Sequence, residues 1–437
     1  MTRVYEARPT AGVGGEIKVP GDKSISHRAL MLAGIAAGRS EIGGFLASED
    51  CLATLRAMRS LGVAIERPEP DRVFVDGVGL RGLGAPIAAL DMGNAGTAIR
   101  LFTGLLCAQS FDSTLIGDAS LMKRPMERVA QPLRSMGADV RTSDGTPPVR
   151  IGGGRRLHGI DYRLPVASAQ VKSAILLAGL YAEGATTVTS PAVCRDHSER
   201  MLRGFGAGVE VDGLRVRLEP AARLEAQRLQ VPGDFSSAAF FIVAGLIAAD
   251  AGGLLIRDVG VNHSRTGLLT ILREMGGKIE VTNWREQASE PVADLRVHRS
   301  ALRGIEVPKD WVPLAIDELP VLFVAAACAR GETVVTGAEE LRVKESDRIA
   351  AMSAGLRAIG VAHTMLPDGL RIEGAGDAPL VGGVVDSHGD HRVAMSFAVA
   401  SLRARAPIAI RDVANVATSF PGFVDRARSV GLDVRES

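Results

Sequence analysis

Cations and small polar residues recur where helices are predicted to begin. The segment PGDKSISHR, which starts at Pro20, places Lys23, Ser24 and Arg28 in one short turn. A lysine in a first helical turn opposes the helix dipole, which favours acidic side chains there. The free backbone N–H groups of such a turn also attract anions. The pattern therefore predicts a bound anion at this turn.

Two later segments predict further anion contacts. The turn Asn94–Thr97 includes Gly96 and offers a bare backbone that a ligand could approach closely, with Arg100 one helical turn on. In GDASLMKRPMERV, Arg124 comes directly before Pro125. Proline is favoured at the first position of a helix, so we expect a helix that starts at Pro125 and an Arg124 side chain that points out of it. A solvated basic pair is the alternative for Lys123 and Arg124.

A third polar turn combines uncharged donors with an arginine. Ser168, Ala169 and Gln170 open an apolar helix, and Arg195 follows in CRDHSER. Hydroxyl and amide groups of this kind suit hydroxyls or a phosphate on a ligand.

Acid–base candidates occur in the last third of the chain. Asp317 and Glu318 open a very apolar helix, where burial raises a carboxyl pKa and nearby Lys or Arg residues oppose that shift. The run Lys344–Arg348 contains Glu345 and could be a surface cluster of ion pairs, because charges at this helical spacing usually are. Asp390–Arg392 opens the last apolar helix.

Two interleaved patterns, each present six times, must position these residues. One is a helix that ends at a glycine and is followed by a strand, which places glycine where a positive φ is needed. Its glycines are Gly62, Gly137, Gly206, Gly276, Gly360 and Gly431. The other is a polar turn that opens an Ala-rich helix. These turns begin at Pro20, Gly93, Ala167, Pro232, Asp317 and Asp390.

The Ala-rich helices are apolar nearly all round, so they are expected to be buried. Three copies could share one core, and six copies then make two domains. The near-identity of PGDKSIS and PGDFSSA predicts where the chain crosses between them. We expect one domain from residues 21–233 and another from residues 1–20 plus 234–437, with crossovers near 20 and 233. Neither domain alone carries the full set of polar turns, so closure of one on the other is expected to assemble the chemistry.

Composition excludes several classes of function. The 437 residues carry 51 Lys and Arg against 50 Asp and Glu, a net charge of +1, which argues against general nucleic-acid binding. The N-terminus shows no apolar signal segment, and no apolar run is long enough to span a membrane. The four cysteines are far apart, without a C-x-x-C pair, and predict neither a disulfide framework nor a zinc site. We therefore expect a cytoplasmic protein.

The motifs PGDKSISHR, GNAGTAIR, GDASLMKRPM, ASAQVKSA, RVKESDR and DHR, in this order, resemble the EPSP synthases, the 3-phosphoshikimate 1-carboxyvinyltransferases. The resemblance runs from Pro20 to near Phe420. It implies an α/β (α+β) fold of two domains, each an inside-out barrel of three β-α-β-α-β-β units with buried helices. It also implies transfer of the enolpyruvyl group of phosphoenolpyruvate to the 5-hydroxyl of shikimate 3-phosphate. This reaction releases phosphate, belongs to the shikimate pathway of aromatic amino acid biosynthesis, and needs neither a metal nor an organic cofactor.

The resemblance also assigns residues. It implies that shikimate 3-phosphate is held by Lys23, Ser24, Arg28, Ser168, Ala169, Gln170, Arg195, Asp317 and Lys344. It implies that phosphoenolpyruvate is held by Lys23, Gly96, Arg124, Gln170, Arg348 and Arg392. The two substrates bring about five to six negative charges, which this set of cations would balance. Asp317 is expected to accept the 5-hydroxyl proton, and Glu345, assisted by Lys23, to move the proton of the methylene carbon.

Three positions depart from the best-known branch of that family. Cys194, Glu340 and Thr418 stand where serine, asparagine and lysine are common. Cys194 and Thr418 suggest the branch often associated with glyphosate tolerance. Gly96 lacks the methyl group that crowds this inhibitor, and instead predicts that glyphosate binds.

Two rival functions are weighed against this interpretation. The sister enolpyruvyl transferases that act on a UDP-sugar carry a reactive cysteine in the loop that corresponds to residues 120–128, and this chain has none there. A non-catalytic module that binds phosphorylated metabolites gains nothing from Asp317 and Glu345 beside an anion. Small-molecule substrates are expected, with no nucleic-acid or membrane partner. A monomer is also expected, although the sequence carries no signal for the oligomeric state.

Overall fold

The computed structural model describes residues 3–437, which form two compact units. The N-terminal unit is Gly21–Val231 together with Gln287–Glu290. The C-terminal unit comprises the segment that ends at Pro20, Pro232–Glu286 and Pro291–Ser437. Each unit has its own cluster of buried apolar side chains.

The described residues contain thirteen α-helices and five short 3₁₀ turns. The helices are α1 Lys23–Ile35, α2 Glu49–Ser60, α3 Gly96–Leu106, α4 Glu127–Ser135, α5 Ala169–Gly179, α6 His197–Gly204, α7 Phe235–Ala248, α8 Gly267–Glu274, α9 Val312–Ala315, α10 Leu319–Ala327, α11 Arg348–Ala358, α12 His391–Ala400 and α13 Phe423–Ser429. The 3₁₀ turns are Leu121–Lys123, Lys309–Trp311, Glu339–Val343, Ser401–Arg403 and Ala414–Thr418.

Twenty-three strands accompany them in the same described part of the chain. They are β1 Val4–Ala7, β2 Val13–Lys18, β3 Ala37–Gly43, β4 Ala64–Glu69, β5 Arg72–Val78, β6 Leu90–Asp91, β7 Ser113–Ile116, β8 Asp139–Ser143, β9 Thr146–Gly152, β10 Asp161–Arg163, β11 Thr186–Thr189, β12 Val209–Asp212, β13 Arg215–Leu218, β14 Arg228–Gln230, β15 Ala249–Gly260, β16 Lys278–Gln287, β17 Glu290–His298, β18 Arg330–Val335, β19 His363–Leu366, β20 Gly369–Ala375, β21 Gly383–Asp386, β22 Ile408–Arg411 and β23 Val434–Glu436.

The six predicted apolar helices are the buried helices of the two units. In the N-terminal unit, α3 packs against α5 and α1, and in the C-terminal unit α7, α10 and α12 pack against one another. All fourteen residues of α7 are buried, including Phe235, which takes the place of Lys23 in this copy of the repeat. Burial follows from composition, because these helices have no polar face to turn toward water. The prediction of buried helices is confirmed.

The six predicted glycines each follow the end of an outer helix. Gly62 after α2 has φ 91°, and Gly276 after α8 has φ 92°. The other four, Gly137, Gly206, Gly360 and Gly431, also have positive φ. A side chain with a β-carbon would be strained there, so glycine ends the helix and lets the chain enter the next strand. This prediction is also confirmed.

Each repeat contributes one small sheet with the same topology. A parallel pair is extended on one side by two antiparallel strands, as in β14-β3-β5-β4 and β6-β7-β9-β8. The orders β10-β11-β13-β12, β2-β15-β17-β16 and β21-β22-β1-β23 repeat it. In the sixth sheet, β18-β20-β19, isolated parallel bridges such as Glu306 to Val334 replace the outer strand. The predicted mixed fold of repeated units is confirmed.

Candidate functional site

Lys23 opens the first buried helix of the N-terminal unit. Asp22 is the N-cap of α1, and its Oδ1 accepts from the backbone N of Ile25 at 2.9 Å. The Lys23 ammonium forms an ion pair with Asp50, a buried carboxylate in the first turn of α2. The sequence predicted Lys23 as an anion contact but did not single out Asp50.

Arg28 lies one turn further along α1 and is almost fully buried. Its Nε donates to Ser198 Oγ at 2.7 Å, its Nη2 to Ser173 Oγ at 2.8 Å, and its Nη1 to the carbonyl of Ser24 at 2.9 Å. The pKa of Arg28 is lowered to about 10, chiefly by burial and also by the charge of nearby Arg195, while acidic neighbours such as Glu199 oppose the shift. Arg28 therefore ties the start of α1 to α5 and α6.

The start of α5 is tied to α3 by Gln170. Ser168 is the N-cap of α5, and its Oγ accepts from the backbone N of Val171 at 3.4 Å. The Gln170 side chain donates to Thr97 Oγ1 at 2.9 Å and accepts from Arg100. Arg28 and Gln170 thus bring together the beginnings of all three buried helices of this unit.

Arg124 lies against the start of α3. No side chain caps α3 at Ala95, and the Arg124 guanidinium donates to Asn94 Oδ1 at 2.7 Å. A β-carbon on Gly96 would stand 2.7 Å from Nη1 of Arg124. The bare backbone predicted at this turn therefore leaves room for Arg124 itself.

The predicted helix start at Pro125 is wrong. Arg124 follows a 3₁₀ turn, and α4 begins at Glu127. The backbone N–H groups of Met126 and Glu127 both donate to the carbonyl of Gly145, at 2.7 and 3.3 Å. This contact with a distant turn holds the chain out of the helix until Glu127, so Pro125 is not the first helical residue.

A buried ion pair lies deeper in the N-terminal unit. Lys172 of α5 and Glu199 of α6 are 2.5 Å apart, and both side chains are almost fully buried. Burial is the largest influence and alone would lower the pKa of Lys172, but Glu199 and Cys194 together outweigh it, so the pKa is raised. Neither residue was singled out from the sequence.

Arg348 is the centre of the charged cluster in the C-terminal unit. Its Nε donates to Asp390 at 2.8 Å, its Nη2 to Glu345 at 2.6 Å, and its Nη1 to Asp317 at 3.3 Å. Burial opposes the charge on Arg348, but the three carboxylates outweigh burial and raise its pKa. Burial likewise favours the neutral acid at Asp390, yet Arg348 lowers the pKa of that carboxyl.

The surface alternative for this cluster is wrong. The Arg348 side chain is only 1% exposed. Its i,i+3 pair with Glu345 is present, but Asp317 and Asp390 come from other elements and enclose the guanidinium.

The candidate base Asp317 has two cations beside one of its oxygens. Lys344 Nζ lies 3.6 Å from its Oδ1, the same oxygen that Arg348 contacts. The backbone carbonyl of Asp317 accepts from Nη1 of Arg392 at 2.8 Å. Arg392 is in the first turn of α12, whose N-cap is Asp390. The predicted residues of this unit are thus brought together at the starts of α10, α11 and α12.

The three departures from the best-known branch lie in loops and 3₁₀ turns. Cys194 Sγ is 3.7 Å from Ser190 Oγ, and Thr418 donates to the carbonyl of Asn415 at 2.7 Å. Glu340 lies exposed in the 3₁₀ turn Glu339–Val343.

Within residues 3–437, no group of three or more His, Cys, Asp or Glu side chains is arranged to hold a metal ion. No described helix has the length and apolarity to cross a membrane.

Two solved structures are similar to this chain over its whole length. The enolpyruvyl transferase NikO from Streptomyces tendae is similar in structure, with a TM-score of 0.80 over 100% of this chain and 99% of its own, at 18% identity. This likeness shows the enolpyruvyl transferase fold. An EPSP synthase structure from Acinetobacter baumannii has a TM-score of 0.90 and 51% identity, and covers 100% of both chains.

Sequence comparison narrows the class to one family. The family model EPSP synthase (3-phosphoshikimate 1-carboxyvinyltransferase) matches residues 7–427. The 3-phosphoshikimate 1-carboxyvinyltransferase of Methylococcus capsulatus is 58% identical over 435 residues, which are 99% of each chain. The chain therefore belongs to the EPSP synthase family, and the resemblance stated from the motifs is confirmed.

Proposed function

We propose that this chain transfers the enolpyruvyl group of phosphoenolpyruvate to the 5-hydroxyl of shikimate 3-phosphate and releases phosphate. The observation that carries the proposal is family membership across nearly the whole chain, at 58% identity to a relative that bears the name of this activity. The reaction is the enolpyruvyl-transfer step of the shikimate pathway to aromatic amino acids.

In the N-terminal unit, the proposed contacts of shikimate 3-phosphate cluster at helix starts. They are Lys23, Ser24, Arg28, Ser168, Ala169, Gln170 and Arg195. Two observations support them: buried Arg28 is fixed by three hydrogen bonds, and Ser168 keeps a hydroxyl donor while its oxygen caps α5. Helix N-termini add N–H donors, which suit a phosphate or a carboxylate. Asp317 and Lys344 are the proposed contacts from the C-terminal unit.

The proposed contacts of phosphoenolpyruvate are mainly arginines. They are Lys23, Gly96, Arg124, Gln170, Arg348 and Arg392. A guanidinium binds a carboxylate or phosphate with two parallel hydrogen bonds, which fixes orientation as well as charge. Support comes from the placement of Arg124 at the open start of α3 and of Arg392 at the start of α12.

In the proposed chemistry, Asp317 accepts the proton of the 5-hydroxyl as that oxygen attacks C2 of phosphoenolpyruvate. Glu345, assisted by Lys23, gives a proton to the C3 methylene, which forms a tetrahedral intermediate. Glu345 then takes a proton back from the new methyl group, the C2–C3 double bond re-forms, and phosphate leaves with the electron pair of its C2–O bond. The cations near Asp317 and Glu345 support this assignment, because charge that develops on the intermediate would be stabilised there.

Phosphate release measured with purified protein tests the activity. Phosphate should appear only when shikimate 3-phosphate and phosphoenolpyruvate are both present, and a UDP-sugar acceptor should give none. Phosphate formed only with the UDP-sugar would establish the sister activity, and binding of both substrates without turnover would establish a binding module. Glyphosate, on the basis of Gly96, is expected to compete with phosphoenolpyruvate.

The enzyme is further proposed to act as a monomer in the cytoplasm. The chain's four free cysteines support a reducing compartment. Light scattering after size exclusion tests the oligomeric state, and a mass of twice 45.8 kDa would contradict it.

A further inference from the structure

Glu318 is a buried carboxylate at a helix start whose side chain does not cap the helix. It occupies the N-cap position of α10, yet its side chain makes no capping hydrogen bond. The residue is only 2% exposed. Burial of a carboxylate is costly unless charges and hydrogen bonds compensate.

The contacts of Glu318 all concentrate on one oxygen. The Ser236 hydroxyl donates to Oε1, and the same oxygen lies 3.9 Å from Nη1 of Arg265 and 3.7 Å from Nη1 of Arg392. In the described part of the chain, Oε2 is buried and has no hydrogen-bond partner. A carboxylate with one of its oxygens unsatisfied lowers stability. The contacts of Oε1 have to offset this cost.

Further polar contacts link Glu318, through Ser236 and Arg265, to Asp234. Arg265, 3% exposed, donates from Nη2 to Ser236 Oγ at 2.9 Å. The same Nη2 lies 3.6 Å from Oδ1 of Asp234, the oxygen that accepts from the backbone N of Ser237 at the start of α7. The cluster contains two carboxylates and two guanidiniums, so its charges balance. It links the start of α7 to the starts of α10 and α12.

Only Arg392 in this cluster is a proposed substrate contact. Its Nη1 donates to the carbonyl of Asp317 at 2.8 Å, and the carboxylate of Glu318 forms an ion pair with the same nitrogen at 3.7 Å. Both contacts are made by the same nitrogen and restrain that end of the guanidinium. A guanidinium must hold its plane to bind a carboxylate or phosphate with two hydrogen bonds.

We propose that Glu318 is a positioning residue that orients Arg392 for phosphoenolpyruvate, with Ser236 and Arg265 fixing Glu318 in turn. The proposal rests on the proposed contact of Arg392 with phosphoenolpyruvate. Glu318 acts through Arg392 and touches no substrate, so its loss weakens the use of phosphoenolpyruvate and leaves shikimate 3-phosphate unaffected.

The first test is Glu318→Gln, which keeps the size and the acceptor oxygen but removes the charge. The KM for phosphoenolpyruvate should rise about tenfold, within the range measured for partners in one polar network. The KM for shikimate 3-phosphate should change by less than about twofold. Asp294→Asn is the matched control, because Asp294 is a buried acid of the same unit that pairs with Arg257 at 2.9 Å, outside the cluster. It should leave both KM values unchanged.

A double-mutant cycle separates positioning from a structural effect. In an Arg392→Gln background, where the KM for phosphoenolpyruvate is already raised, Glu318→Gln should add nothing further. Independent effects that multiply, or equal losses for both substrates, would overturn the proposal, and so would unchanged kinetics in a folded Glu318→Gln protein. If Glu318→Gln fails to fold, Ser236→Ala decides, because it removes the hydroxyl donor and keeps both charges. It should raise the KM for phosphoenolpyruvate about threefold, and no change would overturn the proposal.

The same experiments distinguish failure of the proposed function. A wild-type protein that releases no phosphate refutes the activity itself. An Arg392→Gln variant with an unchanged KM for phosphoenolpyruvate refutes the assigned contact. The positioning role alone is refuted if the wild type is active, Arg392→Gln raises the KM for phosphoenolpyruvate, and Glu318→Gln leaves that KM unchanged.

Discussion

The guanidinium of Arg124 occupies the space that a side chain at Gly96 would need: a β-carbon at position 96 would stand 2.7 Å from Nη1. The residue pair is separated by 28 positions in the chain, and the hydrogen bond from Arg124 to Asn94 fixes the contact. Real β-carbons do not approach other atoms this closely, so any larger residue at 96 must displace the arginine.

Gly96→Ala should therefore weaken phosphoenolpyruvate binding without unfolding the protein. Displacing Arg124 breaks its charged hydrogen bond to Asn94, so the KM for phosphoenolpyruvate should rise about tenfold. The KM for shikimate 3-phosphate should stay within about twofold of the wild type, the change that ~0.4 kcal/mol produces. Gly84→Ala is the control, because a β-carbon there meets nothing nearer than 3.8 Å. Equal kinetics for the two variants would contradict the role of Arg124.

The parts of the fold that could be predicted are those encoded by local signals. Gly62 and Gly276 could be predicted as helix ends. The residue just after a helix often needs a positive φ, which glycine adopts without strain. The helix α7 could be predicted as buried because fourteen consecutive residues offer no polar face. Both features depend on residues close together in the chain, so the local sequence is sufficient to predict them.

The polar contacts between elements could not be predicted in this way. Ser236 and Glu318 are 82 residues apart, and Arg28 reaches Ser198 across 170 residues. Spacing in the chain says nothing about which of many serines or acids will meet a given cation. The misplaced helix start at Pro125 has the same origin, because the carbonyl of Gly145 decides where α4 begins.

The ionised carboxylate of Asp390 should stabilise the folded protein, and this stabilisation should be lost at acidic pH. Asp390→Asn keeps the cap on the backbone N of Arg392 but leaves buried Arg348 short of one charge, which should cost about 3 kcal/mol at pH 7. The folded-state pKa of Asp390 is lowered, so its contribution is present above the unfolded value of about 3.9 and is lost as the pH falls through the lower folded value.

Urea unfolding at several pH values measures this difference. The gap between wild type and Asp390→Asn should be constant from about pH 6 to 8 and should shrink below about pH 4. Asp377→Asn is the control, because Asp377 pairs with Arg330 at the surface, and it should cost no more than about 1 kcal/mol. A gap that widens with acid would contradict the sign of the shift.

Asp317→Ala should remove most of the turnover. Loss of a general base typically slows a reaction about 10²- to 10⁴-fold, and Asp317 is the proposed acceptor of the hydroxyl proton. Phosphate release at saturating substrates measures this loss. Asp310→Ala is the control, since Asp310 is exposed a few residues earlier in the chain and should retain full activity. Near-normal turnover of Asp317→Ala would rule out the assignment.

The buried pair of Lys172 and Glu199 should show strong coupling in stability. Lys172→Met leaves the Glu199 carboxylate buried without its ammonium, and Glu199→Leu leaves the reverse, so each should cost about 3–5 kcal/mol. The double variant removes both charges and should unfold at a higher urea concentration than either single variant. The raised pKa of Lys172 also predicts a pH dependence of the stability. The stabilisation by the pair persists at neutral pH and is lost only as the pH rises through the folded-state pKa of Lys172.

The exposed pair of Arg217 and Glu219 provides the comparison for this cycle. Its side chains are 46% and 52% exposed, so its coupling should not exceed about 1 kcal/mol. Urea unfolding of the four proteins in each cycle gives the two coupling energies directly. Strictly additive losses at Lys172 and Glu199 would mean that the buried pair contributes no more than the exposed one.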